Sequence, residues 1–207
     1  MKKQKIITIS RQFGSAGRTI GKKVAEKLAI PCYDDEILQK VAAESGFHPD
    51  FLKDQGEYYV SHTFFGGALA GRNVNGYNGY SIQDEVWIVQ SKIIQELGAK
   101  EPCVIVGRCA DYLLRDVADC LKVFIHADMD FRAKRIVEVY GERNEKPLKR
   151  LADKDKRRKK FYKYYTGLEW GDAKNYDVAL DSGRLGIDAC VDVIVNLYRM
   201  KEQRETD

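Results

Sequence analysis

Short β-branched runs alternate along the chain with stretches whose apolar residues recur every three or four positions. Lys5–Ser10 (KIITIS) is the first such run and predicts a buried strand. A turn of small residues, Arg11–Gly17, follows. Ile20, Val24 and Leu28 then mark one face of an amphipathic helix over Arg18–Leu28. Strand, glycine-bearing turn and helix open a parallel α/β unit. Pro31–Asp34 predicts a second extended piece, and Asp34 or Asp35 is placed to cap a helix with the face Ile37, Leu38, Val41, Ala42. Ser81–Leu97 has a strong helical pattern, with Asp84 and Glu85 near its start, where the helix dipole favours acids. Cys103–Val106 and Leu121–Ala127 predict two more strands, and Asp128 caps a helix carrying Phe131, Ile136, Val137 and Tyr140. Val178–Leu180 and Gly186–Met200 predict a last strand and helix. Five strands alternating with helices imply a mainly parallel sheet covered on both faces.

Residues 46–81 break the pattern. They hold seven of the seventeen glycines, several aromatics and little periodicity, which predicts a long mobile connection of the kind used as a binding lid. Tyr58, Tyr59, His62 and Arg72 within it are either acceptor contacts or ordinary loop residues.

Composition narrows the class. With 207 residues, 44% apolar and 32% charged, the chain fits one globular domain and not a disordered one. No apolar run approaches the roughly 18 residues of a membrane span. Met1–Lys5 leads into an apolar run too short for a signal-peptide core, so a cytoplasmic location is expected. The five cysteines are scattered, lack C-x-x-C spacing and read as reduced core residues, and none of the three histidines has ligand spacing with a cysteine.

The net charge of +4 is mild, but its distribution is not. Residues 143–163 carry eleven Lys or Arg against Glu145, Asp153 and Asp155. Two readings stand: a solvated helix face, or a clamp for the phosphates of a nucleotide or nucleic acid. The aromatics that follow, Phe161–Tyr165 and Trp170, either stack a base or dock a helix on the core.

Phe13-Gly14-Ser15-Ala16-Gly17-Arg18-Thr19 lies where a strand runs through a glycine turn into a helix, the setting in which backbone N–H groups and the helix dipole bind phosphate. The full G-x-x-x-x-G-K-[ST] pattern is not met. One frame reads Gly17-Arg18-Thr19 as G-K-T with Arg for Lys, and its leading Gly is then Gln12.

Further motifs follow in order. Ile7-Thr-Ile-Ser10, Gly14-Ser-Ala-Gly17 and Lys22–Leu28 resemble I-x-I-D-G-P-S-G-S-G-K-G-T…A-x-A-L-A-E-A-L of the cytidylate kinases. Val106-Gly107-Arg108 resembles V-G-R-D, and Leu121–Ala127 with Arg132–Arg135 resembles L-K-V-F-L-x-A…R-A-x-R. Asp153–Arg157 resembles the lid motif E-R-D-D-R, and Leu180-Asp181-Ser182 resembles L-D-S. The chain thus resembles the cytidylate kinase-like family. The resemblance implies a three-layer α/β/α fold of P-loop NTPase type, with a five-stranded parallel sheet and a helical lid in one domain. Residues 46–81 would be an acceptor-side insertion and 143–170 a basic lid. It implies a kinase that uses ATP and Mg²⁺ on a CMP-like nucleotide or another small acceptor. A membrane or nucleic acid is not an expected partner.

Aligned without gaps, the family's loop lysine falls on Gly17, its first glycine on Arg11 and its second threonine on Thr19. Arg11 and Arg18 flank the loop, and either is a replacement cation for the donor phosphates held by Gly14, Ser15, Ala16 and Gly17. Thr19 and Asp34 are the candidate magnesium ligands, Asp34 being also a candidate substrate ligand or a helix cap. Arg108, just past a strand, is an acceptor-phosphate ligand or a surface ion pair. The resemblance makes Arg132 and Arg135 phosphate ligands, Arg157 the lid arginine that closes over the transferring phosphate, and Lys154 its partner. Two other readings follow from the absent lysine and the charge run: a nucleotide-binding regulator without catalysis, and a nucleic-acid binder through residues 143–163.

Overall fold

The computed structural model describes residues 3–46, 48, 52 and 81–203. Nearly all of the 46–81 connection, with Tyr58, Tyr59, His62 and Arg72, lies outside the described residues. The elements are β1 (Lys5–Arg11), α1 (Gly17–Leu28), β2 (Cys32–Tyr33), α2 (Asp35–Ser45), α3 (Ile82–Lys100), β3 (Cys103–Val106) and α4 (Ala110–Leu113). They continue with β4 (Asp119–His126), α5 (Met129–Tyr140), α6 (Pro147–Thr166), a 3₁₀ turn (Ala173–Asn175), β5 (Val178–Asp181), α7 (Ser182–Leu185) and α8 (Ile187–Gln203).

The five strands form one parallel sheet in the order β2-β3-β1-β4-β5. β1 is central, with Ile7 opposite Val104 on one side and Leu121 on the other. Alternation along it sends Ile7 and Ile9 to one face and Ile6 to the other. On the first face they pack with Ile20 and Val24 of α1 and Val191 and Ile194 of α8. On the second, Ile6 and Ile105 pack with Ile37 and Val41 of α2, Ile94 of α3 and Leu114. Each fully buried Ile or Val contributes roughly 1.5–3 kcal/mol of transfer free energy, so two apolar faces fix a three-layer α/β/α sandwich.

The elements expected from periodicity are present, with ends shifted by up to three residues. Ser81 and Asp128 cap their helices, accepting from the Asp84 and Phe131 N–H groups. The short helices α4 and α7 were not expected, because four residues give no period to read. All five cysteines are reduced thiols outside any disulfide, and burial pushes those of Cys32, Cys103 and Cys120 up to about 11, 12 and 11. Among the described residues no helix is long and apolar enough to cross a membrane.

Candidate active site

β1 delivers the chain to the carboxyl edge of the sheet, where ligands of open α/β sheets bind. The turn that follows is anchored to β4 and just beyond it: the Gln12 N–H donates to the Ile125 carbonyl at 3.0 Å, and its side-chain oxygen accepts from the Ala127 N–H at 3.2 Å. Gly14 (φ 83°) and Ala16 (φ 62°) take left-handed conformations. A β-carbon on Gly14 would lie 2.9 Å from both the Arg132 carbonyl oxygen and Ile136 Cγ2, so the loop's approach to α5 requires glycine. The Ser15 hydroxyl is buried within 2.9 Å of the Gln12 carbonyl and 3.0 Å of the Ile125 carbonyl. Ser182 donates to the Ser15 carbonyl at 2.7 Å. Both hydroxyls therefore serve the shape of the loop. α1 begins at Gly17 with no acid in its first turn, which leaves its N-terminus suited to an anion.

The two loop arginines are placed differently. A β-carbon built on Gly17 would lie 2.5 Å from Arg11 Cβ and 2.7 Å from Arg11 Cγ. The stem of Arg11 thus occupies the space where a side chain at position 17 would start. Arg11 is buried and lines the cavity in front of the loop. Arg18 also borders that cavity, but its guanidinium turns to Asp34 and Asp35 at the start of α2 and pairs with both carboxylates. Burial opposes its charge, but the two carboxylates outweigh that and hold its pKa above the ordinary arginine value.

Asp34 stands at the N-cap of α2 without capping it; its carboxylate goes to Arg18 instead. The Thr19 hydroxyl accepts from Arg135 at 2.9 Å. Both candidate magnesium ligands are therefore held by guanidinium groups, and no cluster of three or more acidic, His or Cys side chains occurs among the described residues. The donor set is arranged for anions and builds no divalent-cation site from protein groups alone among the described residues.

Arg108 follows β3 in a strained turn: Gly107, Arg108 and Cys109 have φ of 80°, 57° and 54°. A non-glycine residue held there costs about 1–3 kcal/mol. The turn is held by the Gly107 N–H on the Ile9 carbonyl at 2.9 Å and by Arg108 Nη1 on the buried Gln90 Oε1 at 3.0 Å. The result aims a buried arginine into the same cavity.

Helix α6 closes the remaining side. Arg150, Lys154 and Arg158 line the cavity at spacings of four, one face of the helix. Arg157, the residue read as the lid arginine, lies on the exposed face, one position and 100° from Arg158. Arg158 is buried and donates to the Arg11 carbonyl at 3.1 Å. Arg132 is also buried, but it serves the loop and does not line the cavity: its Nη1 donates to the Phe13 carbonyl at 3.2 Å and to Asp155 at 2.6 Å. Arg135 does line it.

The aromatic stretch docks the helix. Phe161 and Tyr162 are buried with Cys109, and Tyr165 stacks on Trp87 of α3 at 4.1 Å between centroids. Tyr162 donates to the buried Asp111 at 2.6 Å. Asp181 caps α7 through the Gly183 and Arg184 N–H groups.

The cavity encloses about 350 Å³, and eight of its eighteen lining residues are Arg or Lys against two Asp. Sequence reasoning named Arg143, Arg150 and Arg158 only within the basic run and Phe13 only within the loop motif, and it missed Tyr140 and Leu38 as lining residues. The four-residue spacing of Arg150, Lys154 and Arg158 was the available signal.

The model of the cytidylate kinase-like family matches residues 6–184. A cytidylate kinase of Methanosarcina mazei is 29% identical over 188 residues, 85% of this chain and 86% of its own. That of Archaeoglobus fulgidus is 25% identical over 204 residues, 95% and 96% of the two chains. Among solved structures, an uncharacterized protein from Eubacterium ventriosum superposes with a TM-score of 0.70 at 28% identity, covering 95% of this chain and 99% of its own. A shikimate kinase from Acinetobacter baumannii in complex with shikimate shares the fold at a TM-score of 0.53 and 12% identity, over 96% and 94% of the two chains. A glycine turn leading into a helix N-terminus at the edge of a five-stranded parallel sheet, and a family match that spans both this turn and the cation-bearing helix, agree: the chain belongs to the cytidylate kinase-like family.

Proposed function

We propose that this protein is a kinase that moves the γ-phosphoryl of ATP to a small acceptor bearing its own phosphate, a nucleoside monophosphate of the cytidylate class. The observation that carries this reading is the exchange at the loop. The lysine position is Gly17, and the Arg11 stem fills the space that glycine leaves. A fixed cation is thereby retained at the donor phosphates. Guanidinium binds phosphate oxygens in bidentate fashion, so the exchange keeps the function of the lysine.

The charge of the cavity supports the acceptor class. Eight cations face two carboxylates. A nucleoside triphosphate brings about four negative charges and a monophosphate about two. A neutral hydroxyl acceptor would leave about a third of this net positive charge unmatched. Phosphoryl transfer depends on such neutralisation and on in-line placement. An acceptor phosphate oxygen attacks the γ-phosphorus, the bond to the bridging β–γ oxygen breaks, and ADP leaves with that electron pair. Arg11 and the N-terminus of α1 hold the donor phosphates. Arg135 and Arg158 neutralise the transferring group, Arg108 holds the acceptor phosphate, and Lys154 and Arg150 close the site against water. Any magnesium would come bound to ATP and would add charge neutralisation at the phosphate oxygens; no protein ligand to it is assigned.

The test is calorimetric titration with ATP·Mg, followed by ADP release with a panel of nucleoside monophosphates and of hydroxyl acceptors. The wild type binds ATP·Mg and turns over with a monophosphate. Arg11→Met weakens binding about tenfold or more, the loss of one charge-assisted hydrogen bond, while Arg18→Met changes it less than about threefold. Absence of binding at millimolar nucleotide, or an unchanged Arg11→Met, overturns the reading. Binding without transfer to any acceptor favours a nucleotide-binding regulator.

A further inference from the structure

Asp155 is a carboxylate placed against a phosphate loop, where simple electrostatics disfavours it. Each of its two oxygens has a partner. Oδ1 accepts from the Phe13 N–H at 2.8 Å, and Oδ2 accepts from Arg132 Nη1 at 2.6 Å. Arg132 Nη1 also reaches the Phe13 carbonyl at 3.2 Å. Both polar groups of one loop residue are thus bracketed by an ion pair, one partner from α6 and the other from α5. The pair is well shielded, with side-chain exposures of 5% for Arg132 and 18% for Asp155, so solvent weakens it little.

The Phe13 side chain continues the same contact. Its ring stacks on Tyr140 at 5.7 Å and 17°, Lys154 Nζ lies 5.2 Å from its centroid, and the Arg158 guanidinium lies 6.0 Å away. On α6 these residues are neighbours. Asp155 directly follows Lys154 and is three positions before Arg158, so its docking sets the rotation and height of the helix at both cations. Leu151, fully buried one turn earlier, and Tyr162, buried two turns later, complete the same inward stripe.

We propose that Asp155 is a positioning residue that latches the lid helix to the phosphate loop through the Phe13 backbone, with Arg132 as its counter-ion, and so registers Lys154 and Arg158 over the bound phosphates. This rests on the anion-site reading of the cavity and adds to it how the lid is indexed. Without the latch the cations are present but not aimed.

The sign of one measurement separates this from a mere charge effect. If Asp155 acted only as a nearby negative charge, removing it would tighten polyanion binding. As a latch, its removal weakens binding although the site becomes more positive. Inorganic tripolyphosphate is the probe, titrated calorimetrically into the full chain. Asp155→Ala is expected to bind about tenfold more weakly than wild type, and Asp155→Asn, which keeps an acceptor for the Phe13 N–H, to lie between them. Equal or tighter binding by Asp155→Ala overturns the proposal. A second arm needs neither binding nor turnover. Amide hydrogen exchange of the ligand-free chain is expected to lose protection at Phe13 in Asp155→Ala, with the β1 amides unchanged. Retained protection at Phe13 overturns the latch. Should Asp155→Ala not fold, Asp155→Asn carries the binding arm, and Asp155→Ser, too short to reach the Phe13 N–H, carries the exchange arm. If the wild type ignores tripolyphosphate, the anion-site reading falls, and the exchange arm alone decides the latch.

Discussion

Position 17 has no room for a β-carbon because Arg11 already lies across it. The two residues are therefore a coupled pair, and the coupling is measurable as a reciprocal exchange. Gly17→Lys alone drives a side chain into the Arg11 stem, and overpacking of this kind costs about 1–3 kcal/mol. Arg11→Gly alone removes the cation. The double variant, Arg11→Gly with Gly17→Lys, restores a lysine and clears its path. ATP·Mg titration should show both single variants weakened about tenfold or more and the double variant within about threefold of wild type. Additive losses in the double variant would show that the two positions do not exchange roles. None of this was legible in the sequence beyond the two alternatives Arg11 and Arg18. Which arginine faces the loop depends on Asp34 and Asp35, which come after β2 and draw Arg18 away. A tertiary ion pair leaves no local pattern to read.

The elements themselves were legible, because each must hide one face and the period of that face is written in the chain. α6 shows the limit. Matching a linear motif points to Arg157, whereas the helix presents Arg150, Lys154 and Arg158 inward and Arg157 outward. A motif match counts positions; a cavity selects faces. Arg158→Ala is therefore expected to weaken tripolyphosphate binding about tenfold and Arg157→Ala less than about twofold, by titration at one salt concentration. The docking of the same helix sets a pH dependence. Burial raises the Asp111 carboxyl pKa, and the Tyr162 hydrogen bond draws it partly back. A carboxyl raised in the folded state above its unfolded value near 4 holds a proton that the unfolded chain has lost. Its stabilisation is present below that value and fades as pH rises through the folded pKa. Tyr162→Phe removes the donor, raises Asp111 further and enlarges this loss. Urea unfolding should show it about 1–3 kcal/mol less stable than wild type at pH 8, with a smaller deficit at pH 4. An equal deficit at both pH values would assign the effect to packing alone.

For the molecule as a whole, the parallel sheet brings the ends of β1, β2 and β3 and the start of α1 to one edge, and α6 folds across them. Residues far apart in sequence thereby become a single field: Arg11, Arg108, Arg135 and Arg158 share one cavity. The charge run of 143–163 consequently divides. Its Arg150, Lys154 and Arg158 face inward, while Lys156, Arg157, Lys159 and Lys160 remain on the exposed side. This division argues for a small polyanion over a nucleic-acid strand, since the inward cations sit in an enclosure of about 350 Å³. Linkage turns the argument into a thermal measurement. A ligand at a hundred times its Kd stabilises the folded state by about 2.7 kcal/mol, which for a domain of this size raises Tm by roughly 5–11 °C. ATP or tripolyphosphate should produce a shift of that order, and the shift should shrink as salt rises, because the recognition is ionic. A single-stranded oligonucleotide at the same phosphate concentration should leave Tm within about 1 °C, having only the exposed face to bind. A larger shift with the oligonucleotide, steep in salt, would return the outer face of α6 to consideration as a nucleic-acid surface, with the cavity serving some other anion.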